Sequence, residues 1–324
     1  MTGYVARRVV SLVPVLLAAA TLVWLLLFAL PGDPARLIAG GQSVDPRVLD
    51  SIRTEWGLDQ PAALQYARYL GKLLRFDFGT SYIQRRPVIS IIRDHFPATL
   101  ILALTAIAIS SCGGLFLGAL AAFYRGRAID HLVLLLALLG TSTPVFWLGL
   151  MLMLVFASQL QWLPVLGYGS NGPIVPLLGR LPEWDHLILP AVTLSLISLG
   201  ATARLTRAGL LDQGDAAFLR TARAKGSSAL RAFVRHGLRN ALIPVVTVIG
   251  LDFASMLGGA VATEYVFAWP GLGKTIVRAI ALKDLPVVEG CVLFLTVIFV
   301  LVNLAVDLLY VWIDPRIQYG RGPV

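Results

Sequence analysis

One stretch of this 324-residue sequence comes close to a chemical site: "VFAWPGLGKTIV", residues 266–277, in which Gly273, Lys274 and Thr275 spell the end of a phosphate-binding loop, G-x-x-x-x-G-K-[ST]. Such a loop closes free backbone N–H groups around phosphates, between a strand and a helix. The pattern fails on its own terms. Ala268 stands where the first glycine belongs, and Trp269 and Pro270 occupy the nest, although proline has no N–H to offer. The stretch reads instead as a Pro-Gly turn joining two elements. The acids Asp252, Glu264 and Asp307 come without a His, nucleophile or second carboxylate at catalytic spacing. Cys112 and Cys291 lack metal-ligand spacing and read as small apolar residues. Neither a catalytic nor a metal site is expected on this chain.

Composition explains where such residues must sit. The chain is 57% hydrophobic and 14% charged, with a mean hydropathy of +0.78, which points to lipid as its solvent. Six stretches are apolar and long enough to be helices across a hydrocarbon core: 9–30, 97–124, 132–158, 187–203, 241–263 and 290–313. The first follows Arg7 and Arg8 but has no small-residue cleavage pattern, so it reads as an uncleaved span.

Six spans put both termini on one side. That side holds Arg7, Arg8, Arg125, Arg127, the cluster from Arg204 to Arg239, Arg316 and Arg321, whereas the short opposite loops hold only Arg180, Lys274, Arg278 and Lys283. The positive-inside bias therefore predicts cytoplasmic termini. The net charge of +9 follows from this asymmetry and from anionic headgroups, without a nucleic-acid partner.

At membrane depth polar residues are costly and usually functional. Asp252, Ser255 and Gly259 share one face of the fifth span, and Thr296, Asn303 and Asp307 share one face of the sixth. Asp252, Ser255 and Asn303 are candidates to line a solute path; the alternative is structural pairing and close helix packing. Glu264, with Trp269 in the same outer stretch, is a candidate contact for an external protein or solute; the alternative has Glu264 accepting the N–H groups of the following turn. Pro144, Pro190 and Pro244 are expected to kink spans around a cavity.

Two segments lie outside the spans. Residues 31–96 are expected to form a helical outer cap, with Asp45 capping a helix that starts at Pro46, Pro61 opening a second, and "RRPVISIIRDHFP" a third. This cap could dock a partner or brace the spans. On the other side, "DAAFLRTARAKGSSALRAFVRHGLRNALIP" reads as helix, glycine, helix: Asp215 caps the first, Gly226 ends it in the left-handed conformation, and Leu230, Phe233, Val234 and Leu238 give the second an apolar face beside Arg231, Arg235 and Arg239. Such a unit fits either the headgroup layer or a groove of a cytoplasmic protein.

The same segment resembles the cytoplasmic coupling motif of binding-protein-dependent ABC importer permeases, particularly the first, B-type permease of the oligopeptide/dipeptide/nickel family. The general pattern is E-A-A, three residues, Gly, nine residues, I-x-L-P. Ala222 and Gly226 match; Arg220 and Thr221 replace its first two positions, and "HGLR" at 236–239 stands in place of I-x-L-P, with Pro244 following. "LPGDPA" at 30–35, "GLDQP" at 57–61, "FDFGTS" at 76–81, "PVISII" at 87–92 and "EYVFAWPGLGKTIVRAI" at 264–280 resemble family stretches in order.

The resemblance implies an all-α, six-span type I permease fold. Its parts would be the first span with residues 1–30, an extracytoplasmic helical insertion at 31–96, a core at 97–313 containing the coupling segment 209–242, and a tail at 314–324. It further implies coupling to an ATPase through Asp215, Phe218, Arg220, Ala222, Arg223, Lys225 and Gly226. The implied partners are a second, homologous permease subunit, two ATPase subunits or one fused ATPase, and an extracytoplasmic solute-binding protein. ATP and Mg belong to the ATPases, with no cofactor on this chain. Peptides are the expected solute, nickel complexes or other small solutes the alternative. An ion-driven secondary transporter is the rival class, but no half-to-half repeat supports it.

Overall fold

The computed structural model describes residues 2–29, 35, 45–56, 59–176, 178–213, 226 and 239–313, and structural statements below concern these residues. The chain is almost entirely helical. Helix α1 (Thr2–Ala29) is followed by the short α2 (Pro46–Trp56) and α3 (Ala62–Leu73). Next come α4 (Val88–Phe123), α5 (Ala128–Ser142) and α6 (Val145–Leu152), which continues as a π-helical turn, Met153–Gln159. A two-residue antiparallel ribbon, β1 (Ile174–Val175) with β2 (Gly179–Arg180), is a small addition to the all-α expectation. It precedes α7 (Trp184–Gln213), α8 (Arg239–Gly259), α9 (Val261–Val266), α10 (Leu272–Ala281) and α11 (Leu285–Ile313).

Stretches within α4, α7 and α11 are each long and apolar enough to cross a membrane, and shorter apolar runs fill α1 (Val10–Leu25) and α8 (Val245–Gly258). The third expected span, 132–158, is not a straight helix. It breaks between α5 and α6 with a bend of 112°. Pro144 explains the break: it has no N–H, and its ring drives Thr143 out of the helical region to φ −94°, ψ 132°. Pro190, by contrast, is carried inside α7 without interrupting it. The fourth span also runs beyond its expected end at residue 203. Polar residues lower the hydropathy there, but Arg204 and Arg207 find partners on α5, so the helix continues to Gln213.

The insertion begins as its caps predict. The Asp45 carboxylate accepts the Arg47 N–H at 2.9 Å at the start of α2, and Pro61 precedes α3. The expected third helix is not separate: "VISIIRDHF" is the outer part of α4, whose 36 residues span about 54 Å, well beyond a hydrocarbon core of about 30 Å. Helix α3 leans on α1 through Tyr66, which shares a 2.5 Å hydrogen bond with Thr21 and meets the Trp24 ring edge-on.

In lipid, helices associate by close packing, since apolar tails compete equally for apolar side chains. Helices α4 and α7 form the most extensive pair, and small residues allow it. A Cβ on Gly118 would lie 2.5 Å from the Ala203 carbonyl oxygen, and one on Gly114 2.7 Å from Thr202 Cβ. Leu102, Ala106, Ala191, Leu194, Leu257 and Trp269 build one core where α4, α7 and α8 meet. Val88, Ile92, Leu272, Ile276 and Cys291 build a second where α10 and α11 pack on the outer part of α4. Leu132, Leu135, Leu136 and Leu139 remain exposed along one face of α5, as lipid contact requires.

Candidate functional site

The near-miss stretch forms the turn between α9 and α10, and a carboxyl group does sit at the N-terminus of α10. It is the chain's own Glu264. One carboxylate oxygen accepts the Lys274 N–H at 3.1 Å, and the other accepts the Thr99 hydroxyl at 2.6 Å; Thr99 Oγ1 in turn accepts the Leu272 N–H at 2.9 Å. A helix N-terminus favours negative charge, so the physics of a phosphate loop is present with an internal occupant. Glycines are required for the fit: a Cβ on Gly271 would collide with the Glu264 carboxylate, and one on Gly273 would lie 2.5 Å from Val261 Cα.

Trp269 completes the latch. Its Nε1 donates to the Ala98 carbonyl at 2.9 Å, and Tyr168 stacks edge-on at 4.6 Å between centroids. Burial pushes the Tyr168 phenol up to about 12, so it stays neutral while donating to the Arg180 carbonyl. Glu264 and Trp269 are both 0% exposed. This corrects their assignment as contacts for an external protein: both face inward, pinning the outer turn to α4. For Glu264, the alternative of accepting N–H groups from the following turn is the arrangement present.

The three candidate path residues are not one cluster. Asp252 is partly buried and hydrogen-bonded to Ser198 Oγ of α7. Ser255 is exposed, its hydroxyl turned back to the Leu251 carbonyl, and the Asn303 amide donates to Phe299 within its own helix. Ser255 belongs to an uncovered stripe, Leu251, Ser255, Gly258, Ala262 and Tyr265, running along α8 and α9. Of the coupling residues, Gly226 has φ +87°, the left-handed conformation expected of it, and open space where a Cβ would be. Asp215, Phe218, Arg220, Ala222, Arg223 and Lys225 lie outside the described residues.

An ion pair that sequence reasoning missed stands just before that segment. Arg207, near the end of α7, grips Asp130 in the first turn of α5 with two parallel bonds, Nε to Oδ1 at 2.6 Å and Nη2 to Oδ2 at 2.8 Å. Asp130 also accepts the Gly126 N–H at 2.9 Å and is 1% exposed. Arg204 adds bonds to Thr141 and to the Ala137 carbonyl. The pair ties the end of α7, just before the expected coupling segment, to the α4–α5 loop. The only available signal was a lone acid beside a basic loop, with no spacing to link them.

Glu183, Asp185 and His186 also converge at the start of α7. One oxygen of each carboxylate is engaged locally: Glu183 Oε1 accepts the N–H groups of Ser170 and Asn171, and Asp185 Oδ1 the backbone N–H of His186. The group reads as a cap closing the outer loop.

Residues 114–319 match the family described as binding-protein-dependent transport system inner membrane component, and residues 1–103 match the N-terminal part of that component. The chain belongs to this family. The inner membrane component is accordingly similar over nearly its whole length to curated relatives. It is 43% identical over 319 residues to the glutathione transport system permease protein GsiC of Salmonella paratyphi A, covering 98% of this chain and 100% of that one. It is also 43% identical over 320 residues to a putative peptide transport system permease protein of Brucella abortus, again with 98% and 100% covered.

Among solved structures, the inner membrane component resembles the MetNI methionine ABC transporter in inward-facing conformations. The TM-score is 0.50 at 17% identity, covering 67% of this chain and 93% of that one. It also resembles an amino acid ABC transporter solved with histidines, with a TM-score of 0.50 at 18% identity, covering 71% and 95%. At such identities these two bear on the fold alone, and the fold is the type I permease fold.

Proposed function

We propose that this permease subunit carries peptides, glutathione-sized or longer, inward across the membrane as part of an ATP-driven importer. The observation that carries the reading is the end-to-end 43% identity to permeases of glutathione and peptide transport systems. The chain pairs with a second, homologous permease, and two ATPase subunits or one fused ATPase bind ATP and Mg on the cytoplasmic side, where both termini lie. An extracytoplasmic binding protein delivers the solute. In this reading the insertion at 31–96 serves as outer cap and the core at 97–313 as pathway, with α4 running across the boundary between them. The uncovered stripe from Leu251 to Tyr265 suits the second subunit and the solute path, with Ser255 on that surface; Asp252 and Asn303 are kept as path candidates of this reading.

Coupling follows from a differential contact: the ATPase pair holds the 209–242 segment differently in its two states, and the helices attached to it tilt in response. Gly226 is the hinge of that segment, since φ +87° excludes a β-branched residue without strain. Gly226→Val should lower solute uptake while the complex still hydrolyses ATP; normal uptake by vesicles containing it would refute the coupling role. Uptake of labelled glutathione and of peptides of graded length by vesicles holding the full complex tests the substrate. Uptake of a nickel complex with none of any peptide would overturn the assignment.

A further inference from the structure

The outer hairpin from Glu264 to Asp284 carries two acids and three bases, but they do not face the same way. Glu264 is 0% exposed and held by Thr99 and the N-terminus of α10. Asp284 is 3% exposed, accepting the Ser81 hydroxyl at 2.5 Å and the Tyr82 N–H at 3.0 Å. Both carboxyl groups are thus turned inward and hydrogen-bonded there. Arg278 and Lys283 are exposed, and Lys274 is held against the turn by its bond to the Ala268 carbonyl at 2.9 Å. A hairpin nearly balanced in sequence therefore presents a basic surface. Beside it opens a pocket of about 400 Å³, walled by α10, the outer part of α4 and the loop before it, with His95, Lys274, Thr275 and Arg278 on its lining and one acid, Asp284, whose carboxylate oxygens are held by Ser81 and the Tyr82 N–H.

Lys and Arg are disfavoured in short outer loops, so three of them gathered on this one call for a counter-charge. The pocket lining includes no residue of the stripe from Leu251 to Tyr265, which separates it from the surface assigned to the solute path. We propose that the basic face of α10 and its pocket receive carboxylate side chains of the extracytoplasmic solute-binding protein. The proposal rests on the importer reading and identifies which surface of this chain that partner meets. It also replaces Glu264 and Trp269, which lie beneath this surface. Complementary charge at such a rim steers encounter and fixes register, and it is weakened by salt.

The test is a titration of the purified binding protein onto the intact complex in nanodiscs of neutral lipid, with Arg278→Glu and Lys283→Glu as separate variants. Both side chains are exposed, and assembly of each variant is checked by size exclusion. The expected result is a rise in Kd of about tenfold or more for Arg278→Glu, a smaller rise for Lys283→Glu, and a steeper salt dependence for the unsubstituted complex than for either variant. A Kd within about twofold for both variants would overturn the assignment while leaving the importer reading intact. Weakening confined to nanodiscs of acidic lipid would also overturn it, because headgroups would then be the counter-charge. If the unsubstituted complex failed to bind the protein at all, the importer reading would fall and the proposal with it.

Discussion

Removing Arg207 tests the junction between the coupling segment and the membrane helices. The Arg207→Ala change leaves the Asp130 carboxylate with one remaining donor, the Gly126 N–H, in a position where it is 1% exposed. Stripping one partner from a buried ion pair costs about 3–5 kcal/mol. The pair sits in the first turn of α5 beside a loop, where water is close, so the low end applies, about 3 kcal/mol. The reverse change, Asp130→Ala, leaves an arginine whose side chain is already 22% exposed and can extend to water, so it should cost only about 1–2 kcal/mol. Replacing both residues should be milder than Arg207→Ala alone, because no orphaned charge remains. Thermal unfolding of the complex in nanodiscs, followed by tryptophan fluorescence, should therefore rank Arg207→Ala lowest by several degrees. The ratio of ATP hydrolysed to solute moved should rise in every variant that breaks the tie. If Asp130→Ala proved as damaging as Arg207→Ala, or the double variant the worst of the three, the argument from an orphaned carboxylate would be wrong.

Other expectations follow from the outer latch and the helix glycines. Gly273→Ala should lower folded yield and thermal stability by about 1–3 kcal/mol through overpacking against Val261; Gly71→Ala, on α3 with nothing within 4 Å of the added Cβ, should instead gain roughly 0.5–1 kcal/mol. Thr99→Val removes a donor to Glu264 and the acceptor of the Leu272 N–H, two buried losses together worth roughly 2–4 kcal/mol in the same unfolding assay. Trp269→Phe loses one hydrogen bond to a carbonyl and leaves a cavity where the fully buried indole was larger, together roughly 2–4 kcal/mol. A Trp269→Phe variant of unchanged stability would contradict the picture of the indole as part of the latch.

The sequence by itself determined the solvent, the order of the apolar helices, the caps at Asp45 and Pro46, the break at Pro144 and the family. Each is set by local pattern: runs of apolar residues, a proline without an N–H, a cap beside the helix it starts, and motifs contiguous in the chain. It also read the stretch 266–277 as a turn joining two elements, on the missing glycine and the intervening proline, and that turn is present. What it could not show was which surface each side chain would face. Glu264 and Trp269 read as candidate outward contacts, with capping of the following turn the alternative for Glu264, and only Thr99 and Ala98, more than 160 residues earlier, supply the partners that decide for the inward arrangement. Asp130 and Arg207 are 77 residues apart, and no periodicity links them. The basic face of α10 emerges only once Glu264 and Asp284 are seen to be turned inward. Burial and pairing are properties of helices brought together, so the tertiary structure alone decides them.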